Sequence, residues 1–101
     1  MKNQQPVVVF KALSDENRIR ILQHLQHGAA SAGELRRRLH IGQSTLSHHM
    51  KVLCDCGLVN RYKAGKWTHY AISQLGADRA IQTLRTLTTE IAPQPPVRGE
   101  D

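Results

Sequence analysis

The apolar residues of this chain change period twice, and that change constrains the fold more than any other feature. Up to Leu53 they recur three and four residues apart. From Leu58 to Ile72 they alternate, and from Leu75 to Ile91 the wider spacing returns. The first and last patterns place apolar side chains on one face of a helix, whereas alternation places them on one face of a strand. In 101 residues this describes one domain of short helices, a β-hairpin and a closing helix.

Local signals set the boundaries. Pro6 suits a first helical position, where its missing N–H costs nothing. Val7, Val8, Phe10, Ala12 and Leu13 would face a core. Asp15 can cap a second helix that carries Ile19, Ile21, Leu22 and Leu25 and stops at Gly28. Ser31-Ala32-Gly33-Glu34 fits a capping box, in which hydroxyl and carboxylate each satisfy a backbone donor. That third helix carries Leu35 and Leu39 on one face and Arg36, Arg37 and Arg38 elsewhere. His40-Ile41-Gly42 breaks it. A fourth helix begins near Gln43 or Ser44, has Leu46, Met50 and Leu53 as its stripe, and ends at Gly57. Leu58–Tyr62 and Trp67–Ile72 then read as two strands around Lys63-Ala64-Gly65-Lys66. The last helix spans about 73–91, ahead of Pro93, Pro95 and Pro96. Residues 1–5 and 92–101 are expected to be disordered, leaving 6–91 as the ordered domain.

Two short helices joined at a tight glycine turn and followed by a hairpin make a winged helix-turn-helix, which is a mainly α fold. The physics suits duplex DNA. A reading helix enters the major groove with its N-terminal residues near base edges, and short polar side chains let its backbone approach closely. Gln43, Ser44, Thr45, Ser47 and His48 meet that need. Arg37, Lys51, Arg61, Lys63 and Lys66 are placed for phosphates. Residues 31–70 hold seven Lys or Arg against Glu34 and Asp55, so +5 of the chain's +6 net charge lies in the reading unit. Phosphate contacts supply most sequence-independent affinity.

On the segments KALSDENRIRIL (11–22), SAGELRRRLHIGQSTLSHHMKVL (31–53), GLV (57–59) and RYKAGKWTHYAIS (61–73), the chain resembles the ArsR (SmtB-like) winged-helix repressors of bacteria. The resemblance covers about residues 6–91. It implies a cytoplasmic homodimer joined through its first and last helices. It also implies a repressor that needs no cofactor to bind an imperfectly palindromic operator and leaves when an inducer binds. The long stripe of residues 75–91 itself suggests a dimer helix. Two-fold symmetry would set the reading helices about 34 Å apart.

The resemblance allows several inducer sites, and two of them lack their residues. Residues 30–38 contain no cysteine, and the last helix has Asp78 and Glu90 but no histidine. Cys54 and Cys56 remain. Soft thiolates select arsenite, antimonite, cadmium, Hg(II) or Cu(I). Residues i and i+2 of an intact helix diverge by about 200°, so shared chelation of one As(III) or Sb(III) requires a loosened last turn near Gly57. A third ligand would come from water, a small thiol or the partner subunit. Three readings stay open for the pair: metalloid sensing, a redox or thiol-modification switch centred on Cys54, and simple packing of Cys56 as a small hydrophobe. His48 and His49 diverge by about 100° on a helix and cannot readily share an ion.

Other function classes lack their residues. There is no Gly-rich phosphate loop, no H-E-x-x-H and no paired carboxylates in a plausible cleft. No apolar run reaches the roughly 18 residues of a membrane span, and the first residues do not read as a secretory signal. A winged helix used only for protein contacts is distinguished by salt dependence, since binding that touches several phosphates weakens steeply with ionic strength.

Overall fold

The structure, a computed structural model, describes residues 6–92. The elements in chain order are α1 (Pro6–Ala12), α2 (Glu16–Leu25), β1 (Ala30–Ser31), α3 (Ala32–Leu39), α4 (Gln43–Asp55), β2 (Val59–Ala64), β3 (Trp67–Ile72) and α5 (Gln74–Leu87). Of the ends expected at 1–5 and 92–101, residues 1–5 and 93–101 lie outside the described residues.

The caps read from the sequence form. Asp15 Oδ1 accepts from the backbone amides of Asn17 at 2.8 Å and Arg18 at 3.2 Å, which starts α2. Ser31 Oγ accepts from the Glu34 amide at 3.1 Å. The Glu34 carboxylate, expected to close the box, meets His24 Nε2 at 2.8 Å and so ties α3 to α2. A packing neighbour wins the carboxylate that local sequence would assign to the cap. Ser73 Oγ caps α5 by accepting from the Gly76 amide.

The turn between α3 and α4 is built differently from the expectation. His40, not Gly42, adopts the left-handed conformation, with φ 55° and ψ 47°. Its amide and that of Ile41 both donate to the Arg36 carbonyl, which closes α3 in the Schellman manner. Gly42 is extended and stands at the N-cap of α4.

The hairpin is longer than expected, because β2 runs on to Ala64 and the turn contracts to Gly65 and Lys66. Tyr62 pairs with His69 and Ala64 with Trp67. Short β1 adds a third strand, giving the order β1-β3-β2, with Ala30 opposite Tyr70. α5 ends at Leu87, four residues before Ile91.

One core joins these elements. Val9, Ile21, Leu35, Met50, Leu53 and Cys56 are fully enclosed. Each large aliphatic side chain there contributes roughly 1.5–3 kcal/mol of burial. α1 packs on α5, but most of the apolar face of α5 does not join this core. Leu75, Ile81, Leu84 and Leu87 are all more than half exposed in the single chain. No helix among the described residues is long and apolar enough to cross a membrane.

Candidate nucleic-acid interface and thiol pair

α4 has two unlike faces. Leu46, His49, Met50 and Leu53 are buried, while Gln43, Ser44, Thr45, Ser47, His48 and Lys51 are exposed. No acidic residue lies in its first turn, so the positive end of the helix dipole is left for an external anion. Beside that end, a cleft of about 620 Å³ runs between α3, α4 and the hairpin. Arg36, Gln43, Ser47, Arg61 and Lys63 line it, and no acidic residue does. Of the ten residues expected to meet DNA, the structure gathers Gln43, Ser47, Arg61 and Lys63 around this cleft. Ser44, Thr45 and His48 lie on the adjoining outer face.

The remaining three are placed differently. Lys51 Nζ pairs with Asp55 at 2.9 Å, one turn on. Both side chains are well exposed, so the pair is worth under about 1 kcal/mol and releases Lys51 readily. Lys66 stands in the hairpin turn. Arg37 folds along its own helix, its Nη1 lying 3.4 Å from where a methyl on Gly33 would stand. Arg36 enters the cleft in its place. A sequence of three consecutive arginines cannot distinguish them without the exact helix phase, which the cap at Ser31 supplies. The hairpin also carries an exposed aromatic face, with Tyr62 stacked on His69 at 5.6 Å and Trp67 beyond it, 65% exposed.

The two thiols lie at the far end of α4 in unequal surroundings. Cys56 is fully buried in the core, and its thiol donates to the Leu53 carbonyl at 3.3 Å. Cys54 is half-buried. Burial pushes both thiols above their ordinary range. At Cys54 the nearby Arg61 opposes that rise, while Asp55 and Cys56 add to it. Both are therefore thiols rather than thiolates near neutral pH, which slows attack on electrophiles. Among the described residues, no three His, Cys, Asp or Glu side chains come together as a metal site.

This architecture defines a class, the winged helix-turn-helix proteins, and comparison with known proteins agrees. A helix-turn-helix domain family matches residues 13–62. The chain is 38% identical over 81 residues to the arsenical resistance operon repressor of Staphylococcus aureus, covering 80% of this chain and 78% of that protein. It is also 38% identical over 81 residues to the transcriptional activator HlyU of Vibrio cholerae, covering 80% of this chain and 75% of that one. The ArsR-like transcriptional regulator from Rhodococcus sp. RHA1 superposes with a TM-score of 0.73 at 33% identity, over 81% of this chain and 77% of that one. The chain belongs to the ArsR family of winged helix-turn-helix transcriptional regulators. It is a DNA-binding protein and not an enzyme.

Proposed function

We propose that the protein is a homodimeric repressor that holds a two-fold operator, with Gln43, Ser44, Thr45, Ser47 and His48 at base edges. Arg36, Arg61, Lys63 and Lys66 take phosphates beside them. The observation that carries this is the acid-free cleft between the N-terminus of α4 and the hairpin. It is cationic on two sides, with Arg36 on α3 and Arg61 and Lys63 on β2. The double variant Arg61→Ala/Lys63→Ala tests it. Each phosphate contact removed lowers the slope of log affinity against log salt by about 0.9. The dimer loses four such contacts in the double variant, so the slope should fall by about 3.6 and binding should weaken to every duplex alike. An unchanged slope in fluorescence-anisotropy titrations would remove the hairpin from the interface.

We further infer that a thiophilic ion at Cys54 and Cys56 releases the operator. Two findings support this: Cys54 lies in the proposed reading helix and Cys56 caps its end, and the Staphylococcus aureus relative is named for arsenical resistance. Cys56 is enclosed in the core, so one ion can hold both sulfurs only if the last turn of α4 opens. That opening would shift the reading end of the same helix. Arsenite condenses as As(OH)3 + 2 RSH → (RS)2AsOH + 2 H2O and releases no net protons. Cadmium displaces two protons from two protonated thiols, so its affinity should rise by up to about a hundredfold per pH unit, while arsenite's stays nearly flat. Arsenite titrated into operator complexes should release the wild type but neither Cys54→Ser nor Cys56→Ser. Equal release of wild type and Cys54→Ser, or no release of either, would sink the metalloid reading and favour a redox switch or inert thiols.

A further inference from the structure

α4 is joined to the other end of the molecule through a buried histidine. His49 lies on the inner face of α4 and is 6% exposed. Its Nδ1 accepts from Nη1 of Arg18 at 3.0 Å. The same guanidinium donates from Nε to the Ala12 carbonyl at 2.8 Å and from Nη2 to the Lys11 carbonyl at 3.2 Å. Arg18 therefore grips the end of α1 with two donors and the reading helix with a third. Asp15 Oδ1 takes the Arg18 amide and stands 4.0 Å from His49 Nε2.

The arrangement fixes the state of the imidazole. A guanidinium has only donors, so Nδ1 must be unprotonated and Nε2 carries the hydrogen. The charged and titratable groups facing His49 are Asp15 and Arg18, from the corner between α1 and α2, and His48 of its own helix. Burial lowers the pKa of His49. Asp15 partly restores it, and Arg18 and His48 depress it further. At Asp15 itself, desolvation opposes ionisation, but the amides of Arg18 and Asn17 outweigh it and hold the carboxyl below its ordinary value.

We propose that Arg18 and His49 are positioning residues that transmit the placement of the dimer-facing helix α1 to the reading helix α4, and that protonation of His49 breaks this link and loosens operator binding. The inference rests on the operator reading above. A proton on Nδ1 would place N–H against N–H and a second positive charge beside Arg18. The sign follows from linkage. A histidine whose folded value lies below the ordinary 6.5 is neutral in the intact link, and the opened state takes the proton more readily. The link is complete above that value and is lost as pH falls through it toward the lower folded value.

Two variants at His49 test the link, using the full chain and a duplex selected by the wild-type protein from a random-sequence pool. His49→Gln keeps an acceptor for Arg18 and cannot titrate. It should bind like wild type at about pH 7.5 and better than wild type, by about tenfold, at about pH 5.5. His49→Leu removes the acceptor and should bind about tenfold more weakly at both values while sedimenting as the wild type does. The proposal is overturned if His49→Gln declines with acid in parallel with wild type, or if a folded His49→Leu binds as wild type does. If His49→Leu fails to fold, the pH comparison with His49→Gln decides alone. Wild type that selects no duplex overturns the operator reading itself, a result distinct from the other two.

Discussion

Replacing Gly76 with alanine is expected to unfold the protein or displace α5, lowering Tm by more than about 10 °C. Two effects oppose one another. Alanine in a helix interior is favoured over glycine by about 1 kcal/mol. At this position, however, an added Cβ would stand 1.6 Å from the Gly57 carbonyl oxygen and 2.6 Å from its carbon. No side-chain rotation relieves a clash with backbone. Overpacking typically costs about 1–3 kcal/mol, and more where the obstacle is rigid. At about 4–8 °C per kcal/mol for a domain of this size, the clash outweighs the propensity. Gly57 has φ 90°, so its backbone cannot easily be rebuilt to make room. Gly33→Ala is the control. Its Cβ would meet the flexible end of Arg37 at 3.4 Å and the Ser31 hydroxyl at an ordinary 4.0 Å, and propensity should prevail with a gain of about 0.5–1 kcal/mol. Thermal melts of both variants check the pair, and a Gly76→Ala melt near wild type would show that α5 does not press on the end of α4 as described.

The second large effect is expected at Leu84→Glu. Ile81, Leu84 and Leu87 recur every three residues and form an apolar stripe on α5, with exposures of 56%, 52% and 57%. In the proposed dimer, such a stripe on an otherwise charged domain would be the association surface. Because Leu84 makes little contact within its own chain, the protomer should keep its circular dichroism spectrum. A carboxylate at the centre of a dry interface has no partner and must be desolvated. Loss of a central anchor weakens association by about 2–4 kcal/mol, and two half-sites then no longer bind as one. Sedimentation should show monomer, and operator affinity should fall by more than about a hundredfold. A variant that still sediments as a dimer would place the two-fold interface elsewhere.

What the sequence made legible was local. Asp15 and Ser31 announced their helices because a cap and its amides lie within three residues of each other. The stripes of α2 and α4 followed from spacing alone. What stayed hidden depended on distant partners. β1 is two residues long and exists only because Ala30 meets Tyr70 across the fold. Glu34 left its box for His24. His40, rather than the glycine two residues on, took the left-handed position of the turn. The grip of Arg18 on His49 spans 31 residues, and no pattern in either segment points to the other. The cleft illustrates both cases, since its cations were evident from composition, while the choice of Arg36 over Arg37 required the helix phase.

The position of Trp67 has a practical corollary. The chain contains a single tryptophan, and it stands beside the hairpin turn rather than in the interior. Its emission is thus an address label for one spot on the molecule. Melting the interior should change its colour little, whereas a strand laid along the wing should dim it or shield it from a dissolved quencher. The protein thereby carries its own lamp at the edge where the wing would meet the double helix.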